Sequence, residues 1–298
     1  MTTQQTNQNF KLESLFSVKD RVALVTGGGS GIGLMATQAL ATNGAKVYIT
    51  GRTGEKLERV VESYSRGIPG QIVAVPADVT SKEAIQGLVE RISAQEGKLH
   101  ILINNAGITS STQNTDLSDP TQLRGELFDS NTDAESPDAW ERVFRTNVTQ
   151  LYFTTTAFLP LLAKGTADES GWSSTVINIS SISGLVMTAQ HHFPYNVSKA
   201  AAVHLTKMLA HEVTSSGMKI RVNNIAPGVF PSEMTTQSSD ERQKSELPKE
   251  KFEGKVPAAR PGKDEDMAST VLFATANQYL NGQTIVVDGG YLLATGTI

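Results

Sequence analysis

The stretch Val22-Ala-Leu-Val-Thr-Gly-Gly-Gly-Ser-Gly-Ile-Gly33 constrains this chain more than any other. An apolar run stops in a knot of glycines and resumes as Leu34–Asn43, a segment with helical character. A strand, a turn lacking Cβ atoms and a helix whose first N–H groups are free together make a socket for a phosphate. The glycines at 27, 31 and 33 space as G-x-x-x-G-x-G rather than the commoner G-x-G-x-x-G. The physical tasks are the same: a tight turn, close backbone approach to a pyrophosphate, and close helix–sheet packing. By itself the spacing also fits a glycine-rich turn that binds nothing.

The rest of the chain alternates β-rich and helical runs. Strands are expected at Arg21–Thr26, Lys46–Thr50, Gln71–Val75, His100–Ile103, Thr175–Ile179, Lys219–Asn223 and Gly282–Asp288. Helices are expected at Gly31–Asn43, Ser81–Glu96, Trp140–Leu162, Tyr195–Val213 and Met267–Ala276. Such alternation predicts a doubly wound α/β fold with a mostly parallel sheet and helices on both faces. We expect a flexible tail and lead-in over 1–17 and one domain over 18–298. Two stretches stand apart: an acidic, turn-rich insertion over 109–139 and a charged lid region over 230–266, with a short link at Gly165–Ser173.

A net charge of −4 offers no basic surface for a nucleic acid. The absence of cysteine excludes disulfides, thiolate chemistry and Cys-ligated zinc. Met1–Gln8 has no cationic and apolar leader pattern, and no run of about 18 apolar residues occurs, so we expect a soluble cytoplasmic protein without membrane contact. N-x-[ST] triplets at Asn147, Asn178 and Asn196 are read as chance matches.

Several side chains are placed for chemistry. Arg52 follows the second strand about twenty residues beyond the turn, where an acid suits a free ribose 2′-hydroxyl and an arginine suits a 2′-phosphate. That favours NADP over NAD, against the plain alternative of an exposed loop arginine. Asp78 is positioned to accept from an adenine amino group, and equally to close an Asx turn or cap the next helix. Tyr195 and Lys199 lie one helical turn apart and share a face, with Pro194 at the helix start. Ser180 and Ser181 end the fifth strand, and only one of them faces the site because adjacent strand residues point oppositely; Ser183 is a further candidate. His191 and His192 suit a pocket lining, since an adjacent pair is poor metal geometry, and no metal is expected; His204 and His211 suit packing or an interface.

Taken in order, Thr26-Gly27…Gly31-Ile32-Gly33, Asn104-Asn105-Ala106-Gly107, Asn147, Ser181, Tyr195-x-x-x-Lys199 and Pro227-Gly228 resemble the short-chain dehydrogenase/reductase family, over about Val18 to Leu293. The resemblance implies an NADP(H)-dependent oxidoreductase that reduces a carbonyl of a small ketone or quinone, or oxidises the alcohol. It implies Ser181, Tyr195 and Lys199 as the working trio, with Asn147 holding a water that links Lys199 to solvent. An ammonium about 5 Å from a phenol contributes roughly 3 kcal/mol and lowers the phenol's pKa by about two units, so the resemblance implies an acidified Tyr195. It implies a cofactor site built from Gly27, Gly29, Ser30, Gly31, Ile32 and Gly33, with Arg52, Asp78 and Val79 beside the adenosine. Asn105, Ala106 and Gly107 would line the adenine-ribose side. Tyr195, Lys199, Pro227, Gly228, Val229 and Ser232 would face the nicotinamide half. It also implies a homodimer or homotetramer paired through Trp140–Leu162 and Tyr195–Val213. Imine reduction, cofactor-assisted biosynthesis, or a non-catalytic NADP-binding regulator are the alternatives. The acidic insertion is longer than the family's usual connection and disfavours anionic acyl carriers if it borders the site.

Overall fold

The computed structural model describes residues 7–129, 136–254 and 256–297. Strands β1 (Val22–Thr26), β2 (Lys46–Thr50), β3 (Gln71–Ala74), β4 (Ile101–Asn104), β5 (Thr175–Ile179), β6 (Arg221–Pro227) and β7 (Thr284–Val287) form one sheet. Its order is β3-β2-β1-β4-β5-β6-β7, with every neighbouring pair parallel. The order reverses between β1 and β4, which opens a crevice at the carboxyl ends of these strands.

Strand alternation builds two cores. Ala23, Val25, Val47, Ile49, Ile103 and Ile177 point to one face, against Leu34 and Leu40 of α1 (Gly31–Thr42) and Val271 of the helix Asp264–Ala276. Val22, Leu24, Leu102, Val176 and Val222 point to the other. There they meet Leu88 of α3 (Lys82–Glu96), Phe158 of the helix Gln150–Asp168 and Leu209 of the helix Phe193–Ser215. Between β2 and β3 runs α2 (Gly54–Tyr64). This is the doubly wound α/β architecture, its sheet buried on both faces.

Local chemistry sets the boundaries. Gly44, at φ +93, ends α1 in a conformation costly for a residue with a Cβ, and Ser81 starts α3 by accepting a hydrogen bond from the Ala84 N–H. The expected helix over 140–162 is longer and interrupted. It opens as α4 (Pro137–Phe144), with the Ser136 side chain capping the Ala139 N–H. It passes through a π-turn, Arg145–Thr149, and continues as α5 (Gln150–Asp168). The link expected at Gly165–Ser173 is therefore half helix. Gly165 is required there because a Cβ would lie 2.1 Å from the Leu99 carbonyl oxygen.

Other expectations are also corrected. The insertion over 109–139 carries a helical turn, Pro120–Arg124, capped by Asp119, and a π-turn, Gly125–Asp129; Asp133 and Glu135 fall outside the described residues. The helix α6 runs over Phe193–Ser215. β6 extends to Pro227 instead of stopping at Asn223, because it pairs with β7 through Pro227↔Val287. The stretch 230–266 contains α7 (Glu233–Thr236) and gives way at 264 to α8 (Asp264–Ala276). In the lead-in, Val18 is fully buried while Phe10 and Leu12 stand exposed. No described helix is long and apolar enough to cross a membrane.

Candidate active site

The glycine turn is stitched to its neighbours. The Thr26 hydroxyl accepts from the N–H groups of Asn105 and Ala106, each at 3.0 Å, and Asn105 Nδ2 donates to the carbonyls of Thr26 and Gly27. Asn105 thereby spends its side chain on the turn itself. Gly27 and Gly31 have positive φ, and a Cβ on Gly33 would lie 2.1 Å from the Gly27 oxygen. Ser30 sits at the amino terminus of α1 without capping it through its side chain. A backbone held this close, with an uncapped helix terminus above it, fits a dinucleotide pyrophosphate.

A cleft of about 380 Å³ opens beside the turn. It is lined by Gly27, Gly29, Ser30, Gly31 and Ile32 of the turn, by Arg52, Asp78 and Val79, and by Asn105, Ala106, Gly107, Tyr195 and Lys199. Arg52 is exposed at the end of β2. Asp78 Oδ1 accepts from the Thr80 N–H at 2.9 Å and the Thr80 hydroxyl at 2.8 Å, which is an Asx turn. These bonds, the backbone one first, hold its carboxyl below the usual range, with the Arg52 charge assisting.

The strand end separates the serines. Ser180 turns into the sheet, where its hydroxyl donates to the Ile225 carbonyl and accepts from Asn224 Nδ2. Ser183 donates to Gln190 Oε1 at 2.7 Å. Ser181 is the one whose hydroxyl acts on the Tyr195 phenol, drawing its pKa down, while its Oγ accepts from the Ser183 N–H at 3.1 Å. Lys199 is 4% exposed; its Nζ donates to the Ile179 carbonyl at 3.1 Å and stands 5.6 Å from the centre of the Tyr195 ring.

The expected acidification of Tyr195 is not found. Burial pushes the phenol up, and the Ser181 hydrogen bond offsets only part of that; burial also pushes Lys199 down to about 8. Desolvation penalises the charged form of each group and dominates both shifts.

Asn147 is brought in by the π-turn, a distortion that recurs at functional positions. Its Oδ1 accepts from the Ile108 N–H, and its Nδ2 donates to the Ile108 carbonyl and to Ser198 Oγ. Ser198 in turn donates to the Tyr195 carbonyl at 2.7 Å. The side chain thus ties the loop after β4 to the helix carrying Tyr195 and Lys199. Asn147, Asn178 and Asn196 are all buried.

Gly33, Ser181, Pro227, Gly228 and Val229 are not among the residues lining the cleft, whereas Ser180 is. Gly228 packs against β7, where a Cβ would lie 2.7 Å from Asp288 Cα, and the Val229 carbonyl accepts from the Gly262 N–H. Ser232 reaches the cleft, but over the glycine turn: a Cβ on Gly31 would lie 2.7 Å from Ser232 Cβ. His191 and His192 strap the acidic segment to the site. His191 Nδ1 lies 3.1 Å from Thr115 Oγ1 and from the Gln113 carbonyl, and His192 Nδ1 lies 3.4 Å from Ser110 Oγ. The His192 ring meets that of Tyr195 edge-on. His204 and His211 are exposed on α6. No cluster able to hold a metal ion occurs among the described residues.

Sequence reasoning missed Glu233. Its Oε1 accepts from Lys56 Nζ at 2.5 Å and Ser239 Oγ at 2.6 Å, and its Oε2 from Ser30 Oγ at 3.2 Å. No local pattern signals contacts between residues so far apart in the chain.

The match of residues 21–243 to the family model described as short chain dehydrogenase decides the affiliation. The chain belongs to the short-chain dehydrogenase/reductase family. This short-chain dehydrogenase is 38% identical over 289 residues to short-chain dehydrogenase/reductase PhomF of Diaporthe leptostromiformis, with 94% of each chain covered. It is 34% identical over 280 residues to the rhamnolipids biosynthesis 3-oxoacyl-[acyl-carrier-protein] reductase of Pseudomonas aeruginosa, covering 93% of this chain and 98% of that one. Among solved structures it resembles the Pseudomonas aeruginosa RhlG/NADP active-site complex, with TM-score 0.74 and 32% identity over 93% of this chain and 98% of that one. A 7 alpha-hydroxysteroid dehydrogenase complexed with NADH gives TM-score 0.74 at 25% identity, over 94% and 97%. The chain is therefore an oxidoreductase of this family, whose relatives take either nicotinamide cofactor.

Proposed function

We propose that this short-chain dehydrogenase uses NADP(H) to reduce a carbonyl of a small ketone or quinone, or to oxidise the corresponding alcohol. The observation that carries the reading is the meeting of Ser181, Tyr195 and Lys199 at the carboxyl end of β5, beside a cleft floored by the glycine turn. A bound nicotinamide cofactor supplies or accepts the hydride. Gly27 to Gly33 would hold its pyrophosphate, Arg52 its 2′-phosphate, and Lys199 its nicotinamide ribose. Tyr195, kept protonated by burial, gives its proton to the substrate oxygen as negative charge gathers there. Ser181, beside that phenol, donates its one hydroxyl proton to the same substrate oxygen. Asn147 positions rather than reacts, since its side chain is committed to Ile108 and Ser198.

Two further features belong to this reading. Asp116, Asp119 and Glu126 lie on the segment strapped beside Tyr195, which favours neutral or cationic substrates over acidic acyl carriers. Tyr152 on α5 with Val197 and Met208 on α6 leaves exposed apolar surface, which supports pairing into a homodimer or homotetramer.

The test is a titration with NADPH and NADH, then a panel of ketones, quinones and imines followed at the reduced nicotinamide absorbance. We expect NADPH to bind more tightly and to be consumed with a ketone or quinone. Arg52→Asp is expected to weaken NADPH by about tenfold or more while sparing NADH. Equal loss of both, or turnover with imines alone, contradicts the proposal.

A further inference from the structure

The lid crosses the glycine turn with an acid. Pro231 and Ser232 lie over Gly31, and the next residue, Glu233, sets its carboxylate between Ser30 of the turn and Lys56 of α2. All three line the cleft together with Arg52. Burial works against ionisation of Glu233, but the bonds from Lys56, Ser239 and Ser30 outweigh it and keep the carboxyl below its usual range. Two hydroxyls and an ammonium converge here on an anion that the chain itself supplies, in a cleft that Arg52 also lines.

We propose that Glu233 is a determinant of cofactor specificity: its carboxylate occupies the anion site of Ser30 and Lys56 and is displaced when a 2′-phosphate arrives. The inference rests on the NADP reading above. Arg52, Lys56 and the Ser30 hydroxyl form the phosphate's receptor, and two negative groups cannot share it without strong repulsion. Displacement frees Glu233 from Lys56 and Ser30, so loss of the lid's hold on the turn accompanies binding of a phosphorylated ribose. A cofactor with a free 2′-hydroxyl brings no competing charge and leaves the contact in place.

The test uses adenosine 2′,5′-bisphosphate and 5′-AMP as probes, titrated calorimetrically into the full chain, with thermal melting as the fold check. Wild type is expected to prefer the bisphosphate. Glu233→Gln is expected to tighten the bisphosphate by about tenfold and to leave 5′-AMP within about twofold. Lys56→Met, acting on the other partner, is expected to weaken the bisphosphate by a similar factor while sparing 5′-AMP. If wild type prefers the bisphosphate but Glu233→Gln leaves the ratio of the two affinities unchanged, or weakens both probes together, displacement is overturned and the NADP reading stands. A wild-type preference for 5′-AMP overturns both.

Discussion

Two side chains in this site have their ionisation set by burial rather than by each other. Lys199 is less basic in the folded protein, at about 8, than the ordinary 10.5 of an unfolded chain. Between those values the unfolded state binds more protons, so this group's contribution to stability rises with pH across that window and is most unfavourable below about 8. Replacing it removes the dependence. Urea melts of wild type and Lys199→Met are expected to show wild type gaining on the variant, by on the order of 3 kcal/mol, as pH rises from 7 to 11. A constant difference would show that Lys199 is not desolvated as described. The pairing of Tyr195 with Lys199 was legible from their spacing on one helix. The sign of the phenol shift was not, because sequence gives separation along a helix but not the depth at which the pair is buried. Which of Ser180 and Ser181 turns toward Tyr195 was not legible either, since it depends on the face each residue takes at the strand end.

At the scale of elements, strands and the glycine turn were legible because apolar runs and missing Cβ atoms are local facts. The π-turn at Asn147 was not, because an extra residue per turn leaves the helical apolar pattern of Trp140–Leu162 almost unaltered. Nor was the contact of Glu233 with Ser30 and Lys56, which depends on how the lid returns over the turn. The acidic segment shows the same limit. Its composition marked it as unusual, but the strap through His191 and His192 is a tertiary fact. His191 also has a positive φ beside another at Gln190, a costly pair held by bonds from neighbouring elements. His191→Ala removes the side-chain half of the strap that reaches Gln113 and Thr115 and leaves the glycine turn untouched. It is expected to raise substrate KM about fivefold to tenfold, roughly the value of one hydrogen bond, with the NADPH dissociation constant unchanged. Loss of NADPH binding in parallel would place this histidine in the cofactor site instead.

For the whole molecule, the ordered motifs carried family and fold together, since each marks the end of a strand or the face of a helix in one sheet. What they left open is assembly and substrate. The exposed Tyr152, Val197 and Met208 on α5 and α6 lead us to expect a dimer or tetramer by light scattering after gel filtration, with Val197→Glu shifting the population toward monomer. A monodisperse wild-type monomer would contradict pairing through these helices. The proposed reduction stands or falls with Tyr195 as its acid–base group. Its most direct test is the rate of NADPH consumption by Tyr195→Phe with a ketone or quinone that wild type reduces, alongside NADPH affinity. The rate is expected to fall about a hundredfold to ten-thousandfold with cofactor binding retained; turnover at the wild-type rate would rule Tyr195 out as the proton donor.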